Sequence, residues 1–116
     1  MQSLDEMKHY LRRFARERDW EQFHNPKNLA TALSIEVAEL NEHFQWLTPA
    51  QAAALSAEQL ADVAAEIADV QLYLVRLADV LDVDIQAAVV LKAARNEAKY
   101  PADKVRGSAK KYTAYE

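Results

Sequence analysis

Two pairs of acidic residues have the type and spacing that could support metal chemistry. Glu36 and Glu39 lie three residues apart, and Glu66 and Asp69 repeat that spacing further along the chain. Residues three apart share one face of a helix. Carboxylate oxygens suit a hard divalent cation such as Mg²⁺ or Mn²⁺. The pairs therefore indicate a metal site if both segments are helical and pack together.

Each acid directly precedes a member of an apolar helical stripe. The stripe beside the first pair has spacings of four, four, three and four: Leu29, Leu33, Val37, Leu40 and Phe44. The stripe beside the second pair alternates between three and four: Leu60, Val63, Ile67, Val70, Leu74, Leu77 and Leu81. One residue is a rotation of about 100°, so each pair flanks its stripe at the same offset. If the stripes pack together, the four carboxylates face one another, and their repulsion and desolvation favour a bound cation.

An interpretation without a metal is also open, because acid pairs at this spacing are common on solvated helix faces. The repetition of the pair at one offset favours the metal site. Other metal sites fit less well. A di-iron bundle needs Glu-x-x-His on two helices, a catalytic zinc usually has His ligands, and the three histidines share no metal-binding spacing.

Aromatic side chains follow the acids on the same predicted faces. His43 and Trp46 come four and seven residues after Glu39, and Tyr73 comes four residues after Asp69. Rings one or two turns beyond the acids could stack on a flat ligand while the acids hold the metal. Half-buried packing is the alternative for Trp46 and Tyr73, and a solvated or hydrogen-bonded histidine is the alternative for His43.

The C-terminal third contains basic and amide side chains. Lys92 and Asn96 share a helix face and could hold phosphate oxygens, with a solvated face as the alternative. Residues 102–116 have few apolar side chains and hold several cations: Lys104, Arg106, Lys110 and Lys111. We expect a domain over residues 1–101 and a basic, flexible tail over residues 102–116.

The composition predicts an all-α protein. The 116 residues include one Gly, three Pro and no Cys. Gly-rich phosphate loops, strand-rich folds, disulfides and thiolate metal sites are therefore excluded. A net charge of −4 argues against nucleic-acid or membrane partners attracted by bulk charge. Residues 1–8 have no apolar signal region and no apolar run reaches the ~18 residues of a membrane span, so we expect a cytoplasmic location.

The periodicity predicts four long helices and one short one. Their expected ranges are 4–18, 26–44, 49–54, a helix from the Ser56-x-x-Gln59 capping box to about Leu81, and one from a cap at Asp82 or Asp84 to about residue 100. The stretch Ile85–Leu91 is apolar on almost every side. A helix of that kind is covered all round, so we predict that subunits pack into an oligomeric helical bundle.

Several runs together form a longer pattern: RDWEQFH at 18–24, Asn28-Leu29, EVAEL at 36–40, FQW at 44–46, EIADV at 66–70, Tyr73-Leu74, Lys92, Asn96 and KYP at 99–101. This pattern resembles the all-α nucleotide pyrophosphohydrolases, and most closely the MazG-like branch that contains dCTP pyrophosphatase. The resemblance covers about residues 4–101. The chain departs from these relatives at Leu11, where they often have His, and at Ile35 and Ala38, where they often have Gly.

The resemblance implies an enzyme that hydrolyses a nucleoside triphosphate, a dNTP similar to dCTP, to the monophosphate and pyrophosphate in nucleotide-pool house-cleaning. It implies Mg²⁺ as cofactor, with Mn²⁺ as a substitute, and a homo-oligomer that is a tetramer rather than a dimer. The implied metal ligands and catalytic residues are Glu36, Glu39, Glu66 and Asp69. The implied substrate-binding residues are Trp20, His24, Trp46 and Tyr73 at the base and sugar, and Lys92 and Asn96 at the phosphates.

Two other functions stay open on the sequence. A noncatalytic helical interaction protein would explain the apolar last helix and the lack of a nucleophilic side chain. A metal-dependent hydrolase of another phosphorylated ligand would use the same acids with a different pocket. Metal binding and the products formed would separate these three hypotheses.

Overall fold

The computed structural model describes residues 1–110 and 113, and every regular element within them is helical. The elements are α1 (Leu4–Glu17), a 3-10 turn (Glu21–Phe23), α2 (Pro26–Glu42), α3 (Pro49–Ala52), α4 (Ala57–Val80), α5 (Ile85–Lys99) and α6 (Ala102–Val105). The all-α class and the four long helices are thereby confirmed. Among the described helices, none is long and apolar enough to cross a membrane. Lys111, part of the predicted basic tail, lies outside the described residues.

Three of the four long helices, α2, α4 and α5, begin at caps that the sequence predicts. The Asn25 side chain accepts a hydrogen bond from the first turn of α2, and Pro26 occupies the first helical position. Ser56 and Gln59 form a reciprocal capping box at the start of α4. Of the two candidate aspartates, Asp84 caps α5.

Two aspartates in the left-handed region end the helices before them. Asp19 has φ 55° and Asp82 has φ 57°. Asp19 directly follows the C-cap residue of α1, and Asp82 directly follows that of α4. The α2 helix ends at Glu42 instead of the predicted Phe44. The backbone N–H of Phe44 bonds to the carbonyl of Asn41 at 3.0 Å, so the chain tightens into turns there.

The chain divides into two compact units, Met1–Val83 and Asp84–Glu116. In the first unit α4 contacts both α1 and α2. These three helices supply its buried apolar side chains: Ala15, Leu29, Val63, Val75 and Ala78. The second unit contains α5 and α6, neither of which has a fully buried residue. The predicted boundary between residues 101 and 102 stays a prediction.

The apolar stripe of α4 separates into two rows. Val63 is buried and Val70 and Leu77 are half-buried. The residues between them repeat every seven positions and are exposed by 41–57%: Leu60, Ile67, Leu74 and Leu81. The sequence predicts one buried stripe, but α1 and α2 cover only part of it. An uncovered apolar row of this length is typical of a surface that packs against another chain.

An ion pair joins α1 to α4. Nε and Nη2 of Arg12 donate to the two carboxylate oxygens of Asp79 at 2.7 and 2.6 Å. The Asp79 side chain is only 9% exposed. The hydrogen bonds from Arg12, which outweigh the effect of burial, hold the pKa of Asp79 below its ordinary value.

We expect Asp79→Asn to lower the free energy of unfolding at pH 7 by about 1–3 kcal/mol, because two charge-assisted hydrogen bonds weaken. Because the pKa of Asp79 is lower in the folded protein than its ordinary value of 3.8, ionised Asp79 stabilises the fold fully at pH values above 3.8. This stabilisation is lost as the pH falls through the pKa of the folded protein. The variant should therefore converge on the wild type in acid. Urea denaturation between pH 2.5 and 7 measures both effects.

The matched control is Glu17→Gln, which breaks an exposed pair with Arg13 at 3.8 Å. Exposed pairs of this kind contribute about 0–1 kcal/mol. Equal losses in the two variants at pH 7 would contradict the stabilising role of the Arg12–Asp79 pair.

Candidate metal and ligand site

Three carboxylates converge where α2 packs along α4. Glu36 and Glu39 lie on α2, and Glu66 lies on α4. Each offers one oxygen, and the three oxygens lie within 4.8 Å of one another. All three side chains are half-buried. Oxygens this close can serve one divalent cation together.

Two oxygens of this acidic cluster lack a protein partner. Oε2 of Glu36 and Oε2 of Glu66 are buried, and no group among the described residues donates a hydrogen bond to either. A buried acceptor without a donor is unfavourable. The pKa of Glu36 is raised to about 7, mainly by the burial of Glu36 and next by the proximity and charge of Glu39. With this raised pKa, Glu36 can keep a proton near neutral pH, and the oxygen donors of the cluster also fit a hard divalent cation such as Mg²⁺.

Asp69 and His43 lie beside this cluster. The charge of Asp69 adds to the raised pKa of Glu36, although Asp69 is not one of the three carboxylates within 4.8 Å. Nε2 of His43 lies 3.9 Å from Oε1 of Glu66. The structure thus brings three of the predicted ligands together and places the fourth, Asp69, close enough for its charge to act on Glu36.

A cleft of about 230 Å³ lies next to the cluster, with Asp69 on its lining. Three predicted ligand-binding residues line it as well: Trp20, His24 and Tyr73. Leu11 lines the same cleft. A space lined by aromatic rings and opening beside carboxylates can hold a flat ring near a metal-bound group.

The run RDWEQFH forms one side of the cleft through a tight local fold. The Trp20 N–H bonds to the carbonyl of Ala15 at 2.8 Å after the left-handed Asp19. The Trp20 ring then meets Phe14 edge-on at 5.8 Å and His24 edge-on at 6.3 Å between centroids. These edge-to-face contacts restrict the orientation of the Trp20 and His24 rings.

Three other predicted residues do not line this cleft. The Trp46 side chain follows α2 and is 86% exposed. Lys92 and Asn96 lie on α5, in the second unit, and are exposed. Their assignment as substrate-binding residues stays a prediction.

Arg76 also lines the cleft, although the sequence predicts no role for it. It is only 9% exposed, and its Nε donates to Nδ1 of His24 at 3.0 Å. Its position three residues after Tyr73 and seven after Asp69 puts it on their helix face. That spacing is the signal that could have identified it.

Comparisons with known proteins agree with this geometry. The profile of the MazG-like family matches residues 31–114. The chain is 44% identical to dCTP pyrophosphatase 1 of Rattus norvegicus and 43% identical to that of Homo sapiens over 113 residues, which is 96% of this chain and 66% of each relative. The chain thus spans about two thirds of the length of these relatives. The crystal structure of a pyrophosphatase from Archaeoglobus fulgidus is similar with a TM-score of 0.79 and 43% identity, over 84% of this chain and 91% of that one.

We expect Glu36→Gln to stabilise the metal-free protein in a pH-dependent way. Unfolded Glu36 ionises near 4.5, whereas the folded pKa is about 7, so the wild type loses stability between these values as the pH rises. The free energy of unfolding of the variant should therefore exceed that of the wild type by an amount that grows from pH 4.5 to 7 and stays constant above pH 7. Urea denaturation in EDTA measures this difference. The control is Glu42→Gln, at an exposed position on the same helix, whose stability relative to the wild type should not increase with pH. If the stability of Glu36→Gln relative to the wild type were equally independent of pH, the expectation would be contradicted.

Proposed function

The chain belongs to the MazG-like family, and on that premise we propose that it hydrolyses a nucleoside triphosphate to the monophosphate and pyrophosphate with Mg²⁺. The observation that carries the proposal is the position of Asp69, which lines the aromatic cleft and whose charge acts on Glu36 of the acidic cluster. The curated relatives named dCTP pyrophosphatase 1 support the same reaction.

The carboxylates would hold the cation and act on water. Glu36, Glu39, Glu66 and Asp69 are the proposed ligands, supported by the oxygens of Glu36 and Glu66 that lack a donor. Bound there, Mg²⁺ would orient the triphosphate and neutralise its charge. One of the four carboxylates would accept a proton from the attacking water. The bond between the α- and β-phosphates breaks, and pyrophosphate leaves.

The cleft would select the nucleotide. Its aromatic residues Trp20 and Tyr73 offer ring faces or edges to a base, and Asp69 places that base beside the metal ligands. We propose a dNTP similar to dCTP, and therefore a role in nucleotide-pool house-cleaning. Trp46, Lys92 and Asn96 are the remaining proposed substrate-binding residues.

The uncovered apolar surface supports a homo-oligomer. The exposed row on α4 is accompanied on α2 by Ile35 and Val37, exposed by 53% and 47%. On α5, Val89, Val90 and Leu91 are exposed by 56–65%. Burial of such side chains is favourable by about 25 cal/mol per Å², and we propose a tetramer in preference to a dimer.

We expect the wild type with Mg²⁺ to convert dCTP to dCMP and pyrophosphate, resolved by phosphorus NMR. Glu36→Gln and Asp69→Asn should each lower the rate at least about 100-fold, because loss of a metal ligand should exceed the roughly 10–100-fold cost of losing a supporting residue. Glu42→Gln should retain the wild-type rate.

A panel of other dNTPs and modified nucleotides in the same assay ranks the bases. Orthophosphate with a diphosphate would contradict the proposed bond cleavage. Turnover of a different phosphorylated ligand would support the other metal-dependent hydrolase. If no nucleotide is turned over and millimolar Mg²⁺ does not raise the melting temperature, a noncatalytic interaction protein is the better description.

We expect sedimentation equilibrium to give a mass about four times the 13.1 kDa of the chain. Ile67→Lys should lower that mass, because it places a charge in the exposed apolar row. A monomeric wild type at micromolar concentration would contradict the oligomer.

A further inference from the structure

Arg76 belongs to a chain of charged contacts that ends on a cleft residue. Its Nη1 lies 3.5 Å from Oδ2 of Asp79, and Asp79 accepts two hydrogen bonds from Arg12. At its other end, Nε of Arg76 donates to Nδ1 of His24 at 3.0 Å. The chain of contacts connects α1 through α4 to the segment before α2. The acidic cluster, with or without the proposed metal, does not explain why a nearly buried arginine holds this histidine.

The direction of the Arg76–His24 hydrogen bond determines where the imidazole proton lies. A guanidinium only donates, so Nδ1 of His24 must have a free electron pair. A neutral imidazole with a free pair on Nδ1 has its proton on Nε2. Burial, and then the charge of Arg76, lower the pKa of His24 and keep the ring neutral. The described residues offer Nε2 no hydrogen-bond partner.

We propose that Arg76 is a positioning residue that holds His24 in the Nε2–H tautomer, so that His24 selects ligands with a hydrogen-bond acceptor in the cleft. The class of ligand rests on the proposed function: a nucleoside triphosphate whose base has a carbonyl oxygen or an unprotonated ring nitrogen. Such an acceptor would receive a hydrogen bond from Nε2. A ligand without one would leave the donor unpaired, which lowers its affinity.

The contacts of Arg76 indicate that it acts through His24. Two of its three guanidinium nitrogens are already engaged, Nε by His24 and Nη1 by Asp79. The edge-on contact with Trp20 restricts the His24 ring from another direction. The ring is thus fixed in orientation by packing and in protonation by Arg76.

The first test is nitrogen-15 NMR of the free protein in EDTA, without nucleotide. The chain has three histidines, and His24→Gln identifies the signals of His24. In the wild type, Nδ1 of His24 should resonate as an unprotonated nitrogen and Nε2 as a protonated one. In Arg76→Met the ring should become a mixture of tautomers. A protonated Nδ1 in the wild type, or an unchanged single tautomer in the variant, would overturn the proposal.

This measurement needs no turnover, so its outcome is independent of the proposed function. It also stands on the wild type alone if Arg76→Met fails to fold. In that event Arg76→Lys takes its place, because lysine keeps the charge beside Asp79 and lacks the planar Nε donor.

The second test is a double-mutant cycle with dCTP and Mg²⁺. Arg76→Met should raise KM about five- to tenfold, the effect of losing one well-placed hydrogen bond, with kcat changed less than about twofold. In a His24→Ala background the same substitution should have no further effect on KM. An equal rise in both backgrounds would show that Arg76 contacts the ligand directly or acts on the fold, and would overturn the proposal.

The matched control is Arg12→Met, which also removes a partner of Asp79 but does not touch His24. It should lower stability and leave KM and the His24 tautomer unchanged. A rise in KM equal to that of Arg76→Met would assign the effect to the ion pairs and not to His24, again contrary to the proposal.

Discussion

Mutual repulsion among carboxylates held away from water is the constraint on which the first unit depends. The packing of α2 along α4 brings Glu36, Glu39 and Glu66 to within 4.8 Å of one another. The same packing buries Leu29 and Val63, which makes the close approach favourable overall. Hydrophobic burial therefore holds in place an arrangement of charge that would separate in solution. A cation that neutralises the cluster would bind with the benefit of that preformed arrangement, since its ligands need not be gathered at the time of binding.

The cleft beside this cluster is organised by a different kind of interaction. Its rings are fixed by edge-to-face packing, whereas His24 is fixed by a directional hydrogen bond from a charged group. Asp79, which pairs with Arg76, also accepts two hydrogen bonds from Arg12 of α1, outside the cleft. The acidic cluster and the cleft can thus be tuned separately, because the first depends on the α2–α4 contact and the second on α1, α4 and the turn between α1 and α2. Asp69 connects the two, because it lines the cleft and its charge acts on Glu36 of the cluster.

Much of the fold could be predicted because helix signals are local. The caps at Asn25, Ser56 and Asp84 and the spacing of the apolar residues define the long helices without knowledge of their neighbours. The repeated offset of the two acidic pairs predicted that four carboxylates would meet, and the structure brings three of them, Glu36, Glu39 and Glu66, to within 4.8 Å of one another. Burial of the α4 stripe was predicted less well. Val63 and Leu60 are equivalent in a three-four pattern, yet only Val63 is covered by α1 and α2, and no local signal distinguishes the two rows.

The sequence by itself determined the all-α class, the helix starts and the identity of the acids, since each of these follows from residue type and spacing along the chain. Only the tertiary structure decided which acids meet, which apolar row stays uncovered and which nitrogen of His24 accepts the hydrogen bond from Arg76. Those outcomes depend on contacts between residues far apart in sequence. The Arg76–His24 bond spans 52 positions and the Arg12–Asp79 pair spans 67. Periodicity places a side chain on a face of its helix, but the partner it meets across that face is set by how the helices pack.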